Sequence, residues 1–114
     1  MPTIYHLIDQ ASWESSKPTP EHRAESLETE GFIHCSENIN QMLKVANRLY
    51  SGRTDLLALE VDSERLTSPI KREASRSGEI YPHIYGPLNT DAVTKVWSLP
   101  LGTGGTFSRV SDQD

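Results

Sequence analysis

At 114 residues, with the 35% of apolar residues gathered into runs, the chain is long enough to bury a core as one domain, which excludes a disordered or disulfide-dependent reading. A net charge of −5 excludes the broad basic face that a nucleic-acid duplex requires, although the local set Lys71, Arg72 and Arg76 suffices for one phosphate. The lone cysteine, Cys35, excludes an internal disulfide, no apolar run follows a basic start, and nothing approaches the roughly 20 apolar residues of a membrane span, so a cytoplasmic protein in a reducing compartment is expected.

Thr3 to Asp9 reads as a strand, with Ile4, His6 and Ile8 on one face and Tyr5 and Leu7 on the other. Residues 10–16 predict a helical turn around Trp13, broken by Lys17-Pro18-Thr19-Pro20. Residues 21–30 are charged, with Leu27 nearly their only apolar anchor, and predict a short exposed turn ended by Gly31; His22 reads as solvated surface. Residues 32–35 form a second strand. Ile39, Met42, Leu43, Ala46, Leu49 and Tyr50 then recur at three- and four-residue steps, which predicts an amphipathic helix over 37–50, with Ser36 as its N-cap and Gly52 as its stop. Strands follow at Leu56–Val61, at Pro69–Ala74, over Glu79–Tyr85 before the Gly86-Pro87 turn, and at Val93–Leu99. Residues 1–100 therefore make one α+β domain with one main helix. The Gly-, Thr- and Ser-rich stretch 101–114, with Asp112 and Asp114 near its end, reads as a mobile tail outside the core.

Three histidines stand in short apolar words: Tyr5-His6, Phe32-Ile33-His34-Cys35-Ser36 and Tyr81-Pro82-His83-Ile84-Tyr85. Histidine titrates nearest neutrality and binds metals readily, so three on rigid strands mark a candidate site. Phe32, His34 and Ser36 share one face while Ile33 and Cys35 share the other, which makes Cys35 a buried hydrophobe rather than a nucleophile. Pro82 and Gly86-Pro87 hold Tyr81, His83 and Tyr85 in one orientation. The long spacings offer no His-x-His or His-x-x-x-His pair, so no metal is expected. Gly-x-Ser-x-Gly, Walker A and Gly-x-Gly-x-x-Gly patterns are absent. Among the acids, Glu60 interrupts an apolar strand and faces either solvent or a pocket, and Glu73 precedes the Tyr81 word.

Together, Tyr5-His6, Glu30-Gly31-Phe32-Ile33-His34-Cys35-Ser36 with Gln41 and Ala46-Asn47, and Pro82-His83-Ile84-Tyr85-Gly86-Pro87-Leu88 resemble the bacterial family called domain of unknown function nine-five-two, over roughly residues 3–99. Members of that family are similar in fold to ADP-ribosyltransferases and RNA 2′-phosphotransferases, which hold NAD or an ADP-ribose-like group in the cleft of a split, mostly antiparallel sheet. The resemblance implies that His6 contacts the adenosine ribose, that the His34 strand lines the middle of the cleft, and that Ser36 hydrogen-bonds the nicotinamide ribose. It leaves Tyr85 or Tyr81 to stack on a flat ring. Loss of nicotinamide through an oxocarbenium-like state needs a carboxylate on the ribose. No glutamate matches the last-strand position, and Glu73 is the nearest substitute. The several arginines of the phosphotransferases have no matching set either.

The sequence thus points to a pocket lined by His6, His34, Ser36, Tyr81, His83 and Tyr85, with Glu73 and His83 as the catalytic candidates. The expected ligand is nucleotide-like, with NAD as a substrate and no certain cofactor. The alternative is a non-catalytic module that binds a small metabolite or a peptide in the same pocket.

Overall fold

In the computed structural model, which describes residues 2–112, Thr3–Asp9 forms β1 and runs directly into α1, Gln10–Ser16. The Asp9 carboxylate makes that junction: Oδ2 accepts from the Ser12 amide at 3.0 Å and Oδ1 from its hydroxyl at 2.7 Å. Next come β2 (Glu21–His22), α2 (Glu25–Thr29) and β3 (Ile33–His34). Gly31, at φ 89°, makes the turn from α2 into β3 in a conformation that side chains resist. The main helix, α3, spans Ile39–Tyr50 as its apolar period predicts, starting two residues later than the expected cap at Ser36 implied. Beyond it lie β4 (Leu56–Asp62), β5 (Ile70–Ala74), β6 (Ile80–Ile84), β7 (Leu88–Asn89), β8 (Val93–Ser98) and β9 (Ser111–Asp112).

The fold is α+β, as the alternation of short strands with one strong helix implies, and every strand pair among the described residues is antiparallel. The sheets run β1-β4-β8-β9, β3-β6-β5 and β2-β7. The first is covered on both faces. Ile4, Ile8, Leu57, Leu59 and Val61 turn to one side and meet Ile33, Cys35 and Ile84 of the second sheet. Leu56, Ala58, Tyr5 and Leu7 turn to the other and meet Met42 and Ala46 of α3. Burial on both faces explains why β4 is an almost unbroken apolar run. Full burial of a side chain such as Met42 contributes roughly 1.5–3 kcal/mol.

Pro82 decides where the two larger sheets part. It sits in the middle strand of β3-β6-β5, where its carbonyl accepts from the Cys35 amide at 3.1 Å. The reciprocal bond cannot form, because proline has no N–H. The β3 ladder ends there. The chain crosses to β1, where Ser36 and Tyr5 exchange amide-to-carbonyl bonds of 2.8 and 2.9 Å. Ser36 is therefore a bridge between sheets and not the helix cap. Asn38 holds that place, its side chain accepting from the Gln41 amide at 2.8 Å.

Two further expectations are corrected. His22 is buried, 7% exposed, because β2 pairs with β7 and Ser16 Oγ lies 2.7 Å from its Nδ1. The segment after Pro100 enters the core: Phe107 is 2% exposed in the α3 cluster and β9 pairs with β8. Asp114 lies outside the described residues.

Candidate functional site

A cleft of about 800 Å³ opens where the two larger sheets diverge. β1 forms its edge and contributes Tyr5 through Asp9. The β3 segment contributes His34, Cys35 and Ser36; β6 contributes Tyr81 and His83; α3 contributes Val45, Arg48 and Leu49. Five of the residues named from sequence, His6, His34, Ser36, Tyr81 and His83, therefore share this one cleft. Tyr85 and Glu73 do not line it.

Each imidazole is held differently. His6 Nδ1 donates to the carbonyl of His34 at 2.8 Å, which leaves Nε2 as an acceptor with no partner among the described residues. Burial is the main force on this ring and lowers its pKa to about 4, so His6 is neutral at physiological pH. The His22 ring centroid lies 5.7 Å away, and burial lowers that group's pKa too. His34 is exposed, with Nε2 donating to Glu30 at 3.0 Å.

His83 is the most constrained of the groups with chemistry to offer. Its Nδ1 donates to Glu73 Oε1 at 2.8 Å, the same oxygen that accepts from the Tyr85 hydroxyl at 2.6 Å. These two donors, Tyr85 first, pull the Glu73 carboxyl below its ordinary pKa. Phe32 stacks on the His83 ring, with centroids 4.1 Å apart and planes 19° from parallel. A carboxylate that accepts on Nδ1 fixes the tautomer and leaves the lone pair on Nε2, the arrangement of an oriented general base. Glu73 thus stands behind His83, not beside a ligand.

Of the other polar groups of the cleft, sequence reasoning had named only Arg76, within a basic set fit for one phosphate. Arg23, Arg48, Arg53 and Arg76 all line it, as does His22. Arg48 was legible in principle, because Gln41, Val45 and Arg48 fall on one stripe of α3. His22 carries no local signal; only the pairing of β2 with β7 places it. The basic set Lys71, Arg72 and Arg76 does not act together. Arg72 is paired with Glu37 and Lys71 lies over the Tyr85 ring, 4.9 Å from its centroid. Cys35, though at the cleft wall, is only 5% exposed and packs in the core, and burial raises its thiol pKa. Glu60 faces inward enough to accept from Trp97 Nε1 at 2.9 Å. Among the described residues no group of three His, Cys, Asp or Glu side chains is placed to hold a metal.

Residues 7–96 match the model of a family described as Protein of unknown function (DUF952). The chain is also similar to protein CC0527 from Caulobacter crescentus. Its X-ray crystal structure is 32% identical, with a TM-score of 0.83 over 93% of each chain. Its solution NMR structure is 33% identical, with a TM-score of 0.79 over 93% of this chain and 91% of that one. No curated protein matches the sequence.

Proposed function

The chain belongs to the DUF952 family, and we propose that its cleft binds NAD or an ADP-ribose-like nucleotide, with His83 as the proton-transfer group. The observation that supports this reading is the convergence of His6, His34 and His83, from three distant sequence words, on one hollow with Ser36 and Tyr81. A volume of about 800 Å³ lies within the usual range of ligand sites, roughly 300–1,000 Å³. The unpartnered His6 Nε2 and the Ser36 hydroxyl suit the donors and acceptors of ribose. Tyr81 offers an aromatic wall.

In the chemical step, the bond between nicotinamide and the ribose anomeric carbon breaks and its electron pair leaves with nicotinamide. Water or an acceptor hydroxyl bonds to that carbon. Its proton passes to His83 Nε2, while Glu73, held by Tyr85, keeps the imidazole oriented. Glu73 is a positioning residue in this scheme.

The non-catalytic alternative draws on the same placement of Glu73. Standing outside the lining, it supplies no carboxylate to an oxocarbenium-like ribose, which favours binding without turnover. Calorimetry with NAD, ADP-ribose and nicotinamide, followed by a nicotinamide-release assay, separates the readings. Absence of binding by all three removes the proposal. Release of nicotinamide that falls in Glu73→Gln supports the catalytic form, whereas binding without release supports the module.

A further inference from the structure

Four of the chain's seven arginines line the cleft and none of its four lysines does, in a protein whose net charge is −5. Two of the four are neutralised locally. Arg53 grips Asp55 through two bonds of 2.9 and 2.8 Å, and Arg23 bonds Glu21 at 2.8 Å. Arg48 and Arg76 meet no carboxylate among the described residues. Of the acids that share the lining, Asp9 caps α1 and Glu30 holds His34, which leaves Glu25.

The two guanidiniums without a carboxylate partner come from different elements, α3 and the turn between β5 and β6, that are hydrogen-bonded to each other. Arg76 sits in the turn between β5 and β6, closed by Ser75 N–H to Glu79 O and Gly78 N–H to Ser75 O, both 2.9 Å. Gln41 ties that turn to α3, since its Nε2 donates to the Ile80 carbonyl at 2.9 Å and to Glu79 Oε2 at 3.0 Å. Arg48 lies on the same stripe of α3 as Gln41, seven residues on, with Val45 between them. The two arginines therefore reach into one cleft from walls that are bolted together. Leu49, 59% exposed, adds an apolar shelf beside Arg48.

An overall acidic surface repels anions, so the uncompensated pair makes a local exception that only anions of the right geometry can use. Guanidinium is the cation whose planar fork matches phosphate oxygens two at a time. We propose that Arg48 and Arg76 are the two jaws of a diphosphate clamp at this cleft, one guanidinium for each phosphoryl group. This rests on the nucleotide reading of the cleft and deepens it by naming the residues that hold the diphosphate such ligands share.

Isothermal titration with ADP, AMP, pyrophosphate and adenosine tests the clamp on the full chain. ADP binds at least tenfold tighter than AMP, pyrophosphate competes with it, and Arg48→Gln and Arg76→Gln each weaken ADP at least tenfold. Lys44→Gln, on the same helix but outside the lining, leaves ADP affinity unchanged and reports on general charge. Adenosine binding as tightly as ADP overturns the clamp alone and leaves the nucleotide cleft standing. ADP affinity insensitive to both arginine variants, or lost equally in Lys44→Gln, also overturns the clamp. Failure of adenosine and ADP alike overturns both readings. Unchanged thermal midpoints in the variants confirm that each loss is one of contact.

Discussion

His6 is tied by its Nδ1 to the backbone of His34, 2.8 Å away, so one imidazole is fixed by the main chain of the strand that carries another. The bond welds β1 to the β3 segment two residues before Ser36 crosses between the sheets. It also divides the labour. The buried ring is rigid and neutral, while the His34 side chain is 54% exposed and pairs with Glu30 at the surface.

The first consequence is a pH-dependent stability. His6 is held near a pKa of about 4 by burial, against about 6.5 in an unfolded chain. The unfolded state therefore takes up a proton that the folded state refuses. Stability is complete above about pH 6.5 and falls as the pH drops from there towards about 4. Over the whole window His6 alone accounts for roughly 3 kcal/mol, and His22, lowered in the same direction, adds to it. Urea unfolding at about pH 7.5 and about pH 5 shows a loss of about 2 kcal/mol in the parent protein. His6→Gln keeps a donor for the His34 carbonyl and removes the titration, so its loss is much smaller. Equal losses in both proteins place the pH dependence elsewhere.

His34→Ala separates contact from architecture. The carbonyl that anchors His6 survives the substitution, and the exposed pair with Glu30 contributes about 0–1 kcal/mol. The variant keeps its urea midpoint and loses affinity for NAD and ADP-ribose by calorimetry. A drop of several kcal/mol in stability assigns the side chain to the fold instead.

Capping gives a third test. Asn38→Ala removes the acceptor for the Gln41 amide and costs about 1 kcal/mol. Ser36→Ala removes no cap and costs less in the same denaturation experiment. The reverse order returns the cap to Ser36.

That exchange illustrates what the sequence discloses. The period of Met42, Ala46, Leu49 and Tyr50 and the alternation along β1 are local signals, and the helix and strand lie where they predict. The faces of the second strand were equally legible, with Ile33 and Cys35 inward. Ser36 misleads because its position satisfies two rules at once, and the choice depends on Tyr5, 31 residues away. His22 looks solvated because its own neighbours are polar; Ser16 and β7 bury it. The Glu73–Tyr85–His83 arrangement needs the β5–β6 register, which pairs Glu73 with Tyr81 and sets it diagonal to His83. No spacing rule states that register in advance.

Cys35 offers a chemical check on the core. Burial pushes its thiol up, so no thiolate forms at neutral pH and thiol reagents leave the native protein unmodified. Labelling appears only with urea unfolding, along the same transition as the loss of fluorescence. Modification at native conditions reveals local opening between the two sheets. Cys35→Ser sets a hydroxyl among Ile33 and Ile84 and costs about 1–3 kcal/mol.

The strongest test of the fold lies in the segment that looks dispensable. Glycine, threonine and serine between Leu101 and Ser108 read as linker, because composition is averaged over neighbours. One aromatic side chain defeats the average. Phe107 packs with Met42, Ala46 and Leu99. The Asn47 amide grips its backbone like a neighbouring strand, donating to the Phe107 carbonyl at 2.9 Å and accepting from its N–H at 2.7 Å. Phe107→Ala opens a cavity beneath α3 and costs about 3–5 kcal/mol. Asn47→Ala strands two backbone groups and costs about 1–3 kcal/mol. Because the residues touch, the double variant loses less than the sum, which urea denaturation of the four proteins measures directly. A Phe107→Ala variant as stable as the parent would make the stretch a tail after all.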